Sequence, residues 1–292
     1  MIPSEILNKV RLVEIKTRKL VNNLFGGEYH SAFKGSGMEF AEVREYIPGD
    51  DIRSIDWNVT ARTGKPYIKK YDEERELSII IMVDVSASSF FGTGNSLKTD
   101  VMIELSSIIS FSAIKNNDKV GLLLFSDKIE KYIPPSKGKK HVLRVIRELI
   151  YHKSSYNSTN INIPLEHIQK VIKRKSILFL LSDFWSPDFS KSIKSINKKH
   201  DLINMQILDS TEEKIIDLGL IKFHDIETQK SIWLNTGNNK NRIQINKNII
   251  KINKNIKNFF TKNKIDFISI NSNKDYIKPL EIFFHKRSLF KK

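Results

Sequence analysis

Asp84, Ser86 and Ser88 occupy alternate positions in "VDVSAS", directly after the apolar run "SIIIM". In extended chain, alternate side chains can aim at one point. Carboxylates and hydroxyls are hard oxygen ligands, suited to Mg²⁺ or Mn²⁺. Two carboxylates nearly neutralise a divalent ion, whereas neutral hydroxyls leave it electrophilic, with a coordination position open to an incoming acid. The plainer use of Ser86 and Ser88 is to cap the next helix. The triplet alone leaves both uses open. A second acid, Asp183, ends another apolar run in "SILFLLSDF".

Other chemistries fit poorly. "GTGNSLKT" lies between a strand and a helix, as a phosphate cradle would. Leu97 stands where both the Walker and dinucleotide patterns need glycine, the residue that lets backbone approach phosphate. An aspartyl-phosphate mechanism would usually have a second carboxylate two residues after Asp84, where Ser86 stands. No G-x-S-x-G elbow occurs. The seven histidines show no H-E-x-x-H spacing, and the absence of cysteine excludes disulfides, zinc thiolates and thiol nucleophiles.

The elements that must position these residues alternate along the chain. From Glu76 onward, strands such as "SIIIMVDVS", "KVGLLLFSD", "SILFLLSDF" and "DLINMQILDS" are interleaved with helices such as "SLKTDVMIELSSIISFSAIKNN" and "GKKHVLRVIRELIYH". "KIEKYIPP" reads as a short exposed strand, and a basic helix is expected over roughly 245–264. Fully apolar strands alternating with helices predict a mostly parallel sheet covered on both faces. Ligands bind outside the carboxyl ends of such strands, the edge where Asp84 and Asp183 lie. A hairpin insertion is expected near 218–236. Before Glu76, residues 26–76 hold 8 Lys/Arg against 11 Asp/Glu and mix turn signals with short strand-like segments. The expected division is therefore 1–75, a helix plus an extended strand and turn module that leans on its neighbour, and 76–292, an α/β domain. Trp57 is expected to anchor the core of the module. Arg44, Arg53, Arg62 and Arg75 are expected to pair with Glu39, Glu42, Asp50, Asp51 and Asp56. The acidic run at 72–76 is read as a solvated strand edge, and Trp185 as either a packing residue or a partner contact on the site's rim.

The 292 residues carry a formal charge of +16, and residues 237–292 hold 14 Lys/Arg against 3 Asp/Glu. That tail is dense in Lys, Asn and Ile, all with AT-rich codons, and lysine far outnumbers the arginine that suits base and phosphate recognition. The expectation is no specific nucleic acid, with salt-dependent nonspecific polyanion binding. No apolar run reaches the roughly 18–20 residues of a spanning helix. The opening residues lack the continuous apolar core of a secretory signal. Ile6, Val10, Val13, Leu20 and Leu24 fall at helical spacing, an amphipathic helix that packs on its own protein and leaves peripheral membrane association open. A cytoplasmic location is expected.

"VDVSAS", "NSTNI" and "LLSDF" resemble the three parts of the metal-ion-dependent adhesion site of von Willebrand factor A-type domains. The resemblance implies direct ligation by Ser86, Ser88 and Thr159, with Asp84 and Asp183 holding metal-bound waters or binding directly. Two departures stand out. Ser89 occupies the place where Met or Phe often follows, and Phe184 stands where many such domains have glycine. The stretch "GEYHSAFKGSGMEFAEVREYIPGDDIRSIDWNVTARTGKPYIKKYDEERE" resembles the signature of domain-of-unknown-function family fifty-eight, MoxR-associated von Willebrand A-like proteins, and the likeness runs nearly the whole chain.

That resemblance implies a von Willebrand A-like (Rossmann-type) α/β fold. It also implies a non-enzymatic, Mg²⁺- or Mn²⁺-dependent adaptor that works with a MoxR-type AAA+ ATPase and binds an acidic client in assembling or maturing other complexes. The alternatives are a divalent-metal phosphohydrolase using Asp84 and a polyanion-binding protein using the basic tail.

Overall fold

The computed structural model describes residues 10–17, 21, 39–72, 77–94, 96–152, 154, 158–224 and 231–290. They fall into two compact units, one spanning Phe33–Leu77 and the other formed by the preceding residues and the chain from Ser78 onward.

In the smaller unit, β1 (Glu39–Glu45) and β2 (Tyr67–Asp72) pair antiparallel with an irregularity between Phe40 and Glu42. The short helix α1 (Trp57–Thr63) starts where the Asp56 side chain accepts from the Asn58 and Val59 N–H groups, and ends at Gly64 in the left-handed region. Trp57 does not anchor a core. It opens α1 with 67% of its surface exposed. Arg44 pairs with Asp50 at 2.7 Å. Asp51 and Asp56 cap backbone N–H groups. Arg75 and residues 73–76 of the acidic run lie outside the described residues, as do Ile6, Leu20 and Leu24.

The larger unit is a six-stranded sheet in the order β10-β7-β6-β3-β4-β5. Its strands are β3 (Ser78–Asp84), β4 (Lys119–Phe125), β5 (Ile129–Ser136), β6 (Ile177–Ser182), β7 (Asp201–Leu208) and β10 (Asp266–Asn271). All neighbours are parallel except edge strand β5, which folds back on β4. Among the described residues from Ser78 onward, seven helices accompany the sheet: α2 (Lys98–Lys115), α3 (Lys139–Tyr151), α4 (Asn162–Val171), α5 (Ser190–Lys199), α6 (Ser210–Glu213), α7 (Asn239–Lys262) and α8 (Ile277–Phe290). The expected α/β fold with a mostly parallel sheet and flanking helices is therefore present.

Period-two alternation sorts the strand residues between the two faces. Ile80 and Met82 of β3 join Leu178 and Leu180 of β6 in a core with Leu165 of α4, Ile193 of α5 and Phe260 of α7. On the other face, Ile79, Ile81, Phe179 and Met205 are fully buried. The buried stripe Val101, Met102, Leu105, Ile108 and Ile109 of α2 follows helical spacing. The buried Ser107, Ser110 and Ser112 of α2 bond to the preceding turn, as where Ser110 donates to the Ser106 carbonyl at 2.7 Å, while the Ser106 hydroxyl has no hydrogen-bond partner among the described residues.

Residues 10–17 are helical and belong with this unit, with Glu14 pairing to Lys139 at 2.8 Å. Near 218–236, where a hairpin insertion is expected, β8 (Leu220–His224) and β9 (Ser231–Asn235) pair antiparallel, and the residues between them lie outside the described residues. The basic helix α7 begins earlier than expected because Asn238 caps it, accepting from the Lys240 and Asn241 N–H groups. Among the described residues, no helix is long and apolar enough to cross a membrane.

Candidate functional site

β3 and β6 lie side by side at the centre of the sheet. The chain leaves β3 toward β4 and leaves β6 toward β7, so the two following loops part company between them. This is the topological switch point at which open α/β sheets bind ligands. Asp84 ends β3, and Asp183 follows β6 by one residue.

The hydroxyls of Ser86 and Ser88 do not cap a helix. Ser86 leads a single 3₁₀ turn (Ala87–Phe90) without a side-chain bond to it, and α2 starts only at Lys98. Instead the two hydroxyls lie 3.1 Å apart, and Thr159 donates to the Ser86 Oγ at 2.7 Å. Thr159 is buried on a loop pinned at two further points. The Asn160 N–H donates to the Ser126 carbonyl beyond β4, and the Ile161 N–H to the Ser186 Oγ beyond β6.

Asp84 is 1% exposed. Its Oδ1 accepts the Ser86 N–H at 3.0 Å and its Oδ2 accepts the Ser182 hydroxyl at 2.7 Å. Burial and the nearby Asp183 charge push its carboxyl up to about 7, against the pull of the bonds from Ser86 and Ser182. A buried carboxylate with both oxygens engaged is not presented as a nucleophile. Ser89, the departure from the adhesion motif, donates its hydroxyl to the Asp84 carbonyl at 2.9 Å.

Asp183 is also buried. Its Oδ1 accepts the Trp185 N–H at 3.0 Å, and Oδ2 accepts from Lys98 Nζ at 2.9 Å. Trp185 itself stands 40% exposed beside the site. Four of the five expected residues are thus linked by direct hydrogen bonds. Asp183 couples to Asp84 through charge, and the Phe184 N–H next to it donates to the same Ser182 hydroxyl. Among the described residues there is no cluster of three or more His, Asp or Glu side chains with metal-binding geometry, so hydroxyls dominate the donor set.

Sequence reasoning missed three contributors. Ser182 sits two residues past Leu180 on the same strand face, which the alternation in "LLSD" carries. Lys98 takes the first place in the stripe continued by Val101, Met102 and Leu105, a charge on the core-facing side of α2. Glu212, in α6, pairs with Lys98 at 2.7 Å and had no local signal. Burial alone would lower the Lys98 ammonium, but Asp183 and Glu212 outweigh it and hold the group above the usual lysine range. Glu212 is raised, because burial and Asp183 together exceed the help from Lys98.

The loop that fails the phosphate-cradle patterns is tied down. The Thr93 N–H and hydroxyl both donate to Asp209 after β7, at 2.9 and 2.6 Å. A Cβ on Gly94 would lie 2.0 Å from the Asn273 Oδ1, so this glycine serves close packing. Phe184 has φ of 63°, a left-handed backbone conformation that favours glycine. Here the ring is 2% exposed and contacts Phe189 and Phe260 edge-on.

These features define a doubly wound α/β domain with clustered hydroxyls and two buried carboxylates at its switch point. The chain belongs to the family described as "Protein of unknown function DUF58", whose model matches residues 42–254, a narrower span than the resemblance read from the sequence. It is similar to the uncharacterized protein Rv1480 of Mycobacterium tuberculosis, at 26% identity over 223 residues, 75% of this chain and 70% of that one. The uncharacterized protein YeaD of Bacillus subtilis is 26% identical over 109 residues, 37% of this chain and 25% of its own. Among solved structures, the conserved hypothetical protein BatB from Bacteroides thetaiotaomicron matches with a TM-score of 0.49 and 12% identity, covering 73% of this chain and 99% of that one. The SpRpn10 VWA domain matches with a TM-score of 0.41 and 9% identity, covering 71% and 94%. At these scores the likeness adds nothing to the chain's own sheet order.

Proposed function

We propose that this protein is a non-catalytic protein-binding module that captures a partner carboxylate through a divalent cation, Mg²⁺ or Mn²⁺. Ser86, Ser88 and Thr159 would hold the ion directly, with Asp84 and Asp183 binding it or its waters. The observation that carries the reading is the convergence of three hydroxyls from two loops, with Thr159 2.7 Å from Ser86.

The donor set fits such an ion. Burial and the Asp183 charge raise the cost of ionising Asp84, and among the described residues no lysine or arginine pairs with Asp84. Hard carboxyl and hydroxyl oxygens suit a hard divalent cation. When bound, the ion supplies an electrophilic position for an incoming carboxylate. The chain's own part is to aim the hydroxyls, keep Asp84 oriented through Ser182, and present Trp185 at the rim.

The partners this reading assigns are a MoxR-type AAA+ ATPase and an acidic client, in the cytoplasm. The phosphohydrolase alternative is disfavoured by the enclosure of Asp84 and by Ser86 in place of the second acid. The test is retention of the purified ATPase on immobilised protein with Mg²⁺ or EDTA, comparing wild type with Asp84→Ala. The reading expects capture by wild type in Mg²⁺ alone. Folded Asp84→Ala retaining full Mg²⁺-dependent capture would refute it. Binding that survives EDTA and collapses with salt would favour the polyanion-type alternative.

A further inference from the structure

Among the described residues, Lys98 is the largest charged side chain with no solvent exposure at all. Its position on α2 faces the core, where its companions at helical spacing are apolar. Taking an ammonium out of water is costly unless it is matched by well-placed acceptors, and here it is matched twice, by Asp183 Oδ2 at 2.9 Å and Glu212 Oε1 at 2.7 Å. Glu212 is itself held, its Oε2 accepting the Asp209 N–H at 2.8 Å. Asp183 is held on its other oxygen by the Trp185 N–H. Asp183 is therefore not a loose ligand waiting for an ion. It is clamped between a backbone donor and a fixed positive charge.

We propose that Lys98 is a tethered cation that occupies Asp183 and tunes the adjacent site, setting a weaker grip on the divalent ion than the two buried carboxylates alone would give. This inference rests on the metal-binding reading above and concerns how that site is regulated. Asp84, Asp183 and Glu212 bring three carboxyl groups, and Lys98 returns one positive charge to the cluster. With Lys98 on its Oδ2, Asp183 offers the ion less charge, and like-charge repulsion acts between ammonium and metal. An ion held this way leans on its hydroxyl ligands, and retains more attraction for a carboxylate brought by a partner. Lys98 is thus a positioning residue, acting through Asp183.

The experiment is a Mn²⁺ titration of the full chain, read by electron paramagnetic resonance at fixed pH and ionic strength, for wild type, Lys98→Met and Glu212→Gln. Lys98→Met keeps the length and apolar stem of the side chain but removes its charge. It should bind Mn²⁺ at least about tenfold more tightly than wild type. Glu212→Gln leaves the ammonium less compensated, and should weaken Mn²⁺ binding several-fold. It also provides the readout if Lys98→Met does not fold. Unchanged or weaker binding by folded Lys98→Met, or unchanged binding by Glu212→Gln, would overturn the tethered-cation role while leaving the metal site standing. Mn²⁺ binding by Lys98→Met but not by wild type would support the role in its strongest form. Binding by neither would remove both this inference and the reading beneath it.

Discussion

The Thr159 hydroxyl donates to the Ser86 hydroxyl at 2.7 Å, joining residues 73 positions apart. The bond exists because the loop carrying Thr159 is tied to the end of β4 through Asn160 and to the loop after β6 through Ile161. Thr159→Val keeps the shape and removes only the hydroxyl. The expected result is a loss of about 1 kcal/mol in stability, with Mn²⁺ affinity reduced by roughly tenfold or more. Thermal melting and Mn²⁺ titration of the same sample check both parts. A variant that binds Mn²⁺ as wild type does would remove Thr159 from the site.

Ser182 bridges two groups, donating to Asp84 and accepting from the Phe184 N–H. Ser182→Ala leaves both unpaired in a buried setting, at an expected cost of about 1–3 kcal/mol in chemical denaturation. A loss below a few tenths would mean that other donors take over.

Asp84 makes metal-free stability depend on pH. Its folded-state value, raised to about 7, means that the folded chain holds a proton which the unfolded chain has already released above about 4. The stabilising proton is fully present at low pH and is lost as pH rises toward 7. In EDTA, Asp84→Asn should therefore gain stability relative to wild type between pH 5 and pH 8, as checked by denaturation at both. A difference independent of pH would show that Asp84 does not titrate in this window.

His200 should act in the opposite sense. The ring is 2% exposed, neither nitrogen has a hydrogen-bond partner among the described residues, and burial, aided by Lys199, lowers its value to about 4. Stability from this group is present above about 6.5 and is lost as pH falls toward 4, where the unfolded chain takes up the proton first. His200→Phe should flatten that part of the profile, as read from melting temperatures at pH 4.5 and 7.

Phe184→Gly separates backbone strain from packing. Relief of the left-handed conformation is worth about 1–2 kcal/mol, while loss of a buried phenylalanine costs about 3–5 kcal/mol. The variant should be less stable by about 1–4 kcal/mol. Equal or greater stability would mean that the aromatic cluster with Phe189 and Phe260 contributes little.

Local chemistry carried much of this protein into its sequence. Apolar runs of strand length, helical stripes such as Val101 to Ile109 and the Asp84-Ser86-Ser88 alternation are each written within a few neighbouring residues, because backbone periodicity is a local property. Trp57 shows the limit of such reading, since an aromatic residue type does not by itself say whether the side chain is buried.

What the local pattern could not specify is which side chains meet. Ser182 reaches Asp84 across 98 positions, and Lys98 reaches Asp183 and Glu212 across 85 and 114. These meetings depend on the parallel register of β3 with β6 and on the packing of α2 and α6 above that edge. Only the assembled sheet brings those ends together, because a hydrogen bond needs its two partners within about 3 Å, and sequence spacing says nothing of distance through space.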